Sequence, residues 1–216
     1  MRTGLIRKDF ILLLLSARFV GVSMGFLLIF FWISGSGGAI LIVPMMMAML
    51  LSISAFSYDK QSKWDQYLTV LPVDAQTIVA SRYIFALLTW VGSMVVAYLL
   101  VLLIRLRASA FPTPTAEILG FLEVTIIGFV ILLALAVSLP LIYRFGAEKG
   151  RIILLVVFLG PSMLISLSST MEISMPNWLL DLSAGSLAVF VGILSFAAMA
   201  VSLPLSVRFY KRMDKF

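Results

Sequence analysis

Cysteine and histidine are both absent from this chain. Without a thiol there is no disulfide, no thiolate nucleophile and no Cys-ligated metal site. Without an imidazole, the commonest catalytic base and metal ligand is missing as well. No G-x-x-x-x-G-K-[ST] stretch occurs, which excludes nucleotide binding in the P-loop manner. Charge is scarce: Asp, Glu, Lys and Arg make up 12% of the 216 residues, where soluble domains run near one quarter. A membrane-embedded enzyme of the Ser–His or metal kind is therefore excluded, and no aspartate falls inside the apolar runs.

What is there is apolar. Hydrophobic residues account for 62% of the chain, more than one ordinary core can bury, whereas a bilayer removes the need to bury them. The formal net charge of +6 then serves as an orientation signal rather than as a nucleic-acid footprint. The N-terminus is basic and then apolar, like a signal peptide, but no small-residue cleavage site ends the run, so it is read as retained.

Charge-free stretches of about 20 residues mark membrane helices. Phe19 to Tyr58 carries no charge, is too long for one span, and contains Ser34-Gly35-Ser36-Gly37-Gly38 as a turn. It therefore forms a helical hairpin, 12–34 and 39–57, with Arg18 snorkelling to the surface. Residues 3–11 form either a separate elbow helix on that surface or the start of one long tilted helix. Further spans are predicted at 84–104, 118–142, 152–171 and 182–207, giving an all-α integral membrane protein with six transmembrane helices in one domain, 1–216. An even number of spans puts both termini on one side. With the N-terminus inside, only Arg105 and Arg107 of the 16 Lys and Arg residues fall outside, so the positive-inside rule predicts an N-in/C-in topology.

That topology places "SYDKQSKWDQYLTVLPVDAQTIVASRY" in the cytoplasm, as a loop over 58–83. A bare connector needs only a few residues. Trp64, Tyr67, Leu68 and Leu71 recur at i, i+3, i+4 and i+7, the apolar stripe of a short amphipathic helix, with Asp59, Ser62, Asp65 and Thr69 opposite. Pro72 ends it, and Asp74 is a candidate N-cap for the next helix, with Val73 and Ile78 spaced as a hydrophobic staple. Such a helix either anchors the loop among lipid headgroups or forms a rigid knob gripped by a cytoplasmic partner.

The same stretch resembles the first cytoplasmic loop of small six-span type-2 ABC exporter permeases. The matching elements are Asp59, Lys60, Trp64, Tyr67, Leu71-Pro72-Val73 and Arg82-Tyr83. "SLPLIYRFGAEKGRI", within the second cytoplasmic loop region 143–151 and its flanks, is similar to that family's second inner loop, with Pro140, Tyr143, Phe145, Gly146, Glu148, Lys149 and Gly150 in pattern. The basic-aromatic tail "SVRFYKRMDKF" is similar as well. The resemblance implies the type-2 ABC exporter fold, a multi-pass protein of the bacterial plasma membrane, and a non-catalytic permease subunit. It implies a second permease copy, identical or homologous, and two ABC ATPase subunits that bind ATP and Mg, with no cofactor in this chain. It implies that the first loop holds a coupling helix. Trp64, Tyr67 and Leu68 would fill the ATPase cleft, Lys60, Lys63 and Asp65 would provide rim pairs, Asp59 is a further coupling residue, and Glu148 and Lys149 would make a second contact. The nearest branch exports phenol-soluble modulins, lantibiotics and other amphipathic peptides, for secretion or self-immunity; drug, lipid and polysaccharide exporters are the alternative. A secondary multidrug carrier is a further alternative and would need Glu123 or Arg18 in its path.

Remaining features have two readings each. Met45, Met46 and Met49, with Met24 in the hairpin partner, suit either a substrate cavity for varied apolar ligands or plain packing. Gly160-Pro161 should kink the fifth span, and Pro161 is a candidate cavity residue or a static bend. Glu123 lies inside the fourth predicted span, either as a proton-binding group or close to the outer interface near Arg105. "AVSLPL" occurs at 136–141 and 200–205, from duplication or convergence.

Overall fold

The computed structural model describes residues 21–22, 24–27, 29, 37–62, 74–110, 120–146 and 183–213. Most of the predicted span 12–34, all of 152–171, and the stripe-bearing residues 63–73 lie outside the described residues. The described chain is helical throughout its ordered elements: α1 (Gly37–Gln61), α2 (Ala75–Ala110), α3 (Phe121–Phe145) and α4 (Ala184–Met213). Among the described residues, four segments are long and apolar enough to cross a membrane, one on each of these helices.

One helix end differs from the sequence expectation, and one helix start falls where Asp74 was expected to cap it. α1 does not stop at Ser57; it runs on to Gln61 and so carries Asp59 and Lys60 on the same rigid element as the span. α2 starts at Ala75, directly after Asp74, whose carbonyl accepts from Thr77 N (2.9 Å) and Ile78 N (3.2 Å). Its 36 residues rise about 54 Å, well beyond a hydrocarbon core of about 30 Å. The physical reason is that charged residues at a span's end do not by themselves break a helix.

Helix directions follow from paired positions. Ser52–Thr89 and Asp59–Arg82 run α1 antiparallel to α2, and Trp90–Gly128 and Tyr98–Thr125 run α2 antiparallel to α3. α3 and α4 are parallel. Ser195 Oγ shares its proton between the Val191 carbonyl of its own helix (2.6 Å) and the Phe129 carbonyl (2.8 Å), and Ser202 Oγ donates to the Ala136 carbonyl (2.5 Å), the two interhelical contacts both crossing a sequence separation of 66. The step between these bonds is one heptad on each helix, the repeat that keeps two helices facing each other with a small crossing angle. Lipid provides no hydrophobic drive between helices, so such bonds and close packing hold the bundle.

The interior is built from Met45, Met49, Val79, Val101, Val124, Leu132, Leu135 and Leu139, all fully buried. Trp90 stacks on Phe129 (5.9 Å), meets Phe196 edge-on (6.2 Å), and donates from Nε1 to the Gly128 carbonyl (2.7 Å). Gly128 is needed there: a Cβ would fall on Met94 Sδ and lie 2.7 Å from its Cε. Outward, α2 presents Ile84, Leu88, Val91, Val95, Leu99 and Leu102 in an unbroken apolar stripe, as a lipid-facing helix does.

Candidate functional site at the loop end of the bundle

α1, α3 and α4 all finish, and α2 begins, at the end of the bundle from which residues 63–73 depart. A compact polar and aromatic cluster sits there. Asp59 near the end of α1 forms an ion pair with Arg82 in α2, and both side chains are buried (9% and 7% exposed). The Arg82 guanidinium also lies over the Phe56 ring, 5.2 Å from its centroid. Phe56 meets Tyr143 of α3 edge-on at 5.2 Å, and Tyr143 meets Tyr210 of α4 edge-on at 6.0 Å. Arg144 spans the rings of Phe145 (5.3 Å) and Phe209 (5.7 Å). Each helix thus contributes to one contiguous knot.

The neighbouring residue, Tyr83, ties α2 to α4 directly. Tyr83 Oη lies 2.6 Å from Ser202 Oγ and 2.7 Å from Ser206 Oγ. Ser202 spends its only proton on the Ala136 carbonyl, so Tyr83 donates to Ser202 and Ser206 donates to Tyr83. Arg82 therefore anchors α2 to α1, and Tyr83 anchors the same turn of α2 to α4.

The geometry concentrates the charge where it resists motion. Two opposite unit charges about 4 Å apart attract by about 4 kcal/mol at an effective dielectric of 20, and separating them strands a buried guanidinium. Among the described residues there is no group of carboxylates able to hold a metal ion.

The family follows from the chain as a whole. The profile described as "ABC-2 family transporter protein" matches residues 4–211. This chain belongs to the ABC-2 transporter family. No curated protein and no solved structure matches the chain. Membership makes it a multi-pass membrane protein of the permease type, a class of transmembrane subunit that is generally non-catalytic and works with an ABC ATPase.

For this ABC-2 chain the predicted site residues are distributed as follows. Asp59 is buried in the ion pair, while Lys60 is exposed on the last turn of α1. Lys63, Trp64, Asp65, Tyr67 and Leu68 lie outside the described residues, as do Glu148, Lys149 and Pro161. Met45 and Met49 are fully buried in the core, Met46 is exposed, and Met24 is half-buried. Glu123 stands in the first turn of α3, exposed, accepting a hydrogen bond from Gly120 N, with Arg105 over the adjacent Phe121 ring at 4.7 Å. α3 begins at Phe121, so this carboxylate marks a helix start, where negative charge is favoured. Sequence reasoning missed the Asp59–Arg82 pair. The available signal was two opposite charges at the two roots of one loop, each beside an apolar run that penalises a lone charge.

Proposed function

We propose that this chain is the permease subunit of an ATP-driven exporter that moves amphipathic peptides out across the bacterial plasma membrane. Two permease copies form the pathway, and two separate ATPase subunits dock beneath them. The observation that carries the reading is the Asp59–Arg82 pair, which joins the two roots of the 58–83 segment. In this scheme 58–83 is cytoplasmic, and its stripe of Trp64, Tyr67 and Leu68 seats in the ATPase. Lys60, Lys63 and Asp65 line the rim, and Glu148 and Lys149 add a second contact. ATP-driven closure pushes the stripe-bearing helix. The clamp delivers that push to α1 and α2 together, and Tyr83 passes it to α4 through Ser202 and Ser206.

Six spans with both termini inside accord with the Lys and Arg distribution. The parallel course of α3 and α4 supports a fifth span at 152–171, because two consecutive parallel helices require a return crossing. Amphipathic peptides are the substrate class suggested by the chain's resemblance to the peptide-exporting branch of these permeases; drugs, lipids and polysaccharide are the alternative cargoes. A secondary carrier is disfavoured because Glu123 caps a helix start instead of facing a buried path.

The test is co-purification with an ABC ATPase, followed by Trp64→Ala in the assembled complex. ATP hydrolysis should continue or rise while export falls to background. Export at the unsubstituted level from an intact Trp64→Ala complex sinks the coupling role, and peptide-independent ATPase activity sinks the peptide assignment.

A further inference from the structure

Between the first turns of α2 and the last turns of α4 lies a cavity of about 610 Å³. Along the bundle axis, Ile84, Leu203 and Val207 line it on the side of the bundle interior, and Asp74, Arg208 and Lys211 line it at the loop end. The two layers coincide because the helices are antiparallel: α2 leaves the loop end in the order Asp74 to Ile84 while α4 arrives in the order Leu203 to Lys211. Beyond Ile84 the wall continues into exposed apolar surface at Leu88 and Val201. The site is therefore amphipathic along the bundle axis, with the same order of polarity as a phospholipid.

Charge narrows the ligand further. Arg208 and Lys211 have no ion-pair partner among the described residues, and Asp74, the one carboxylate among the described lining residues, leaves these three with one net positive charge. The first-turn amides of Thr77 and Ile78 are taken by the Asp74 carbonyl, so attraction for an anion comes from the two side chains. We propose that this cavity binds one anionic phospholipid, its phosphate held by Arg208 and Lys211, a headgroup hydroxyl donating to the Asp74 carboxylate, and an acyl chain following Ile84 and Leu88. A bound lipid would brace α2 against α4 next to the Tyr83–Ser202–Ser206 contact. The inference is independent of the transported substrate and of the coupling role.

The experiment is native mass spectrometry of the full chain in neutral detergent, titrated with phosphatidylglycerol, phosphatidylcholine or inorganic phosphate. Phosphatidylglycerol should bind at least about tenfold more tightly than phosphatidylcholine. Arg208→Gln/Lys211→Gln should weaken it roughly 30-fold, from about one surface-cation contribution per residue. Arg105→Gln/Arg107→Gln, which removes the same charge at the far end of α2, should keep the preference. Should the Arg208/Lys211 variant not purify as a monodisperse species, Ala80→Leu, which fills the cavity from α2, should produce the same loss. Equal binding of the two lipids, equal loss in the control variant, or displacement by millimolar inorganic phosphate would overturn the proposal.

Discussion

Replacing Asp59 with asparagine isolates the clamp, because the shape is kept and only the charge is removed. The carboxylate and Arg82 are both buried, so the substitution leaves a guanidinium without its counter-charge. Breaking a buried pair from one side costs about 3–5 kcal/mol. The Phe56 ring beneath Arg82 remains and offsets part of this, which puts the expected loss near the lower end. For a chain of this size, about 2–4 °C is lost per kcal/mol, so thermal unfolding in detergent should fall by about 6–12 °C. Asp59→Asn/Arg82→Gln removes both charges and should recover most of the loss, since a neutral buried pair carries little of the desolvation penalty. The assay is fluorescence-detected size exclusion after heating, run on the four members of the double-mutant cycle. A single-variant fall under about 2 °C, or a double variant whose loss equals the sum of its parents, refutes the clamp. In the assembled transporter, the double variant should retain stability yet lose export, because the loop roots are no longer locked together.

Other perturbations test neighbouring contacts. Tyr83→Phe removes two interhelical hydroxyl bonds, each worth about 0.6 kcal/mol in a membrane protein, so unfolding should shift by a few degrees and Ser206→Ala should add little on top. Gly128→Ala forces Met94 aside and loosens the Trp90 bond, costing about 1–3 kcal/mol, and Met94→Ala in the same chain should relieve it; no relief would place the strain elsewhere. Gly146 ends α3 at φ 84° while its N–H donates to the Ile142 carbonyl (2.8 Å), so Gly146→Ala should cost about 1–3 kcal/mol in the same heating assay.

The fold was partly legible because a bilayer imposes strong rules on composition. Runs of apolar residues had to become helices with every backbone group bonded internally, and α1 to α4 lie where four of those runs were read. The helix start after Asp74 was also readable, since an N-cap acts through local backbone chemistry. Helix ends were less so: Tyr58-Asp59-Lys60 looks like the start of a loop, yet an α-helix continues through charges at no great cost, and the helix ends at Gln61.

By itself, the sequence determined that this chain enters a membrane as helices and carries none of the thiol, imidazole or P-loop chemistry that an enzyme or an ATPase would use. Those properties depend on composition and on spacing along one helix. Only the tertiary structure decided what Asp59, Arg82 and Tyr83 do. Asp59 could have been a solvated rim charge and Arg82 a mere topology signal; packing α1 against α2 buries them together, and burial is what turns two surface charges into a joint. The same holds for Met45 and Met49, whose flexibility suggested a cavity and whose position in the bundle makes them core. Partners that meet across helices leave no periodic trace in the chain, because their separation is set by how helices pack and not by the 3.6-residue turn.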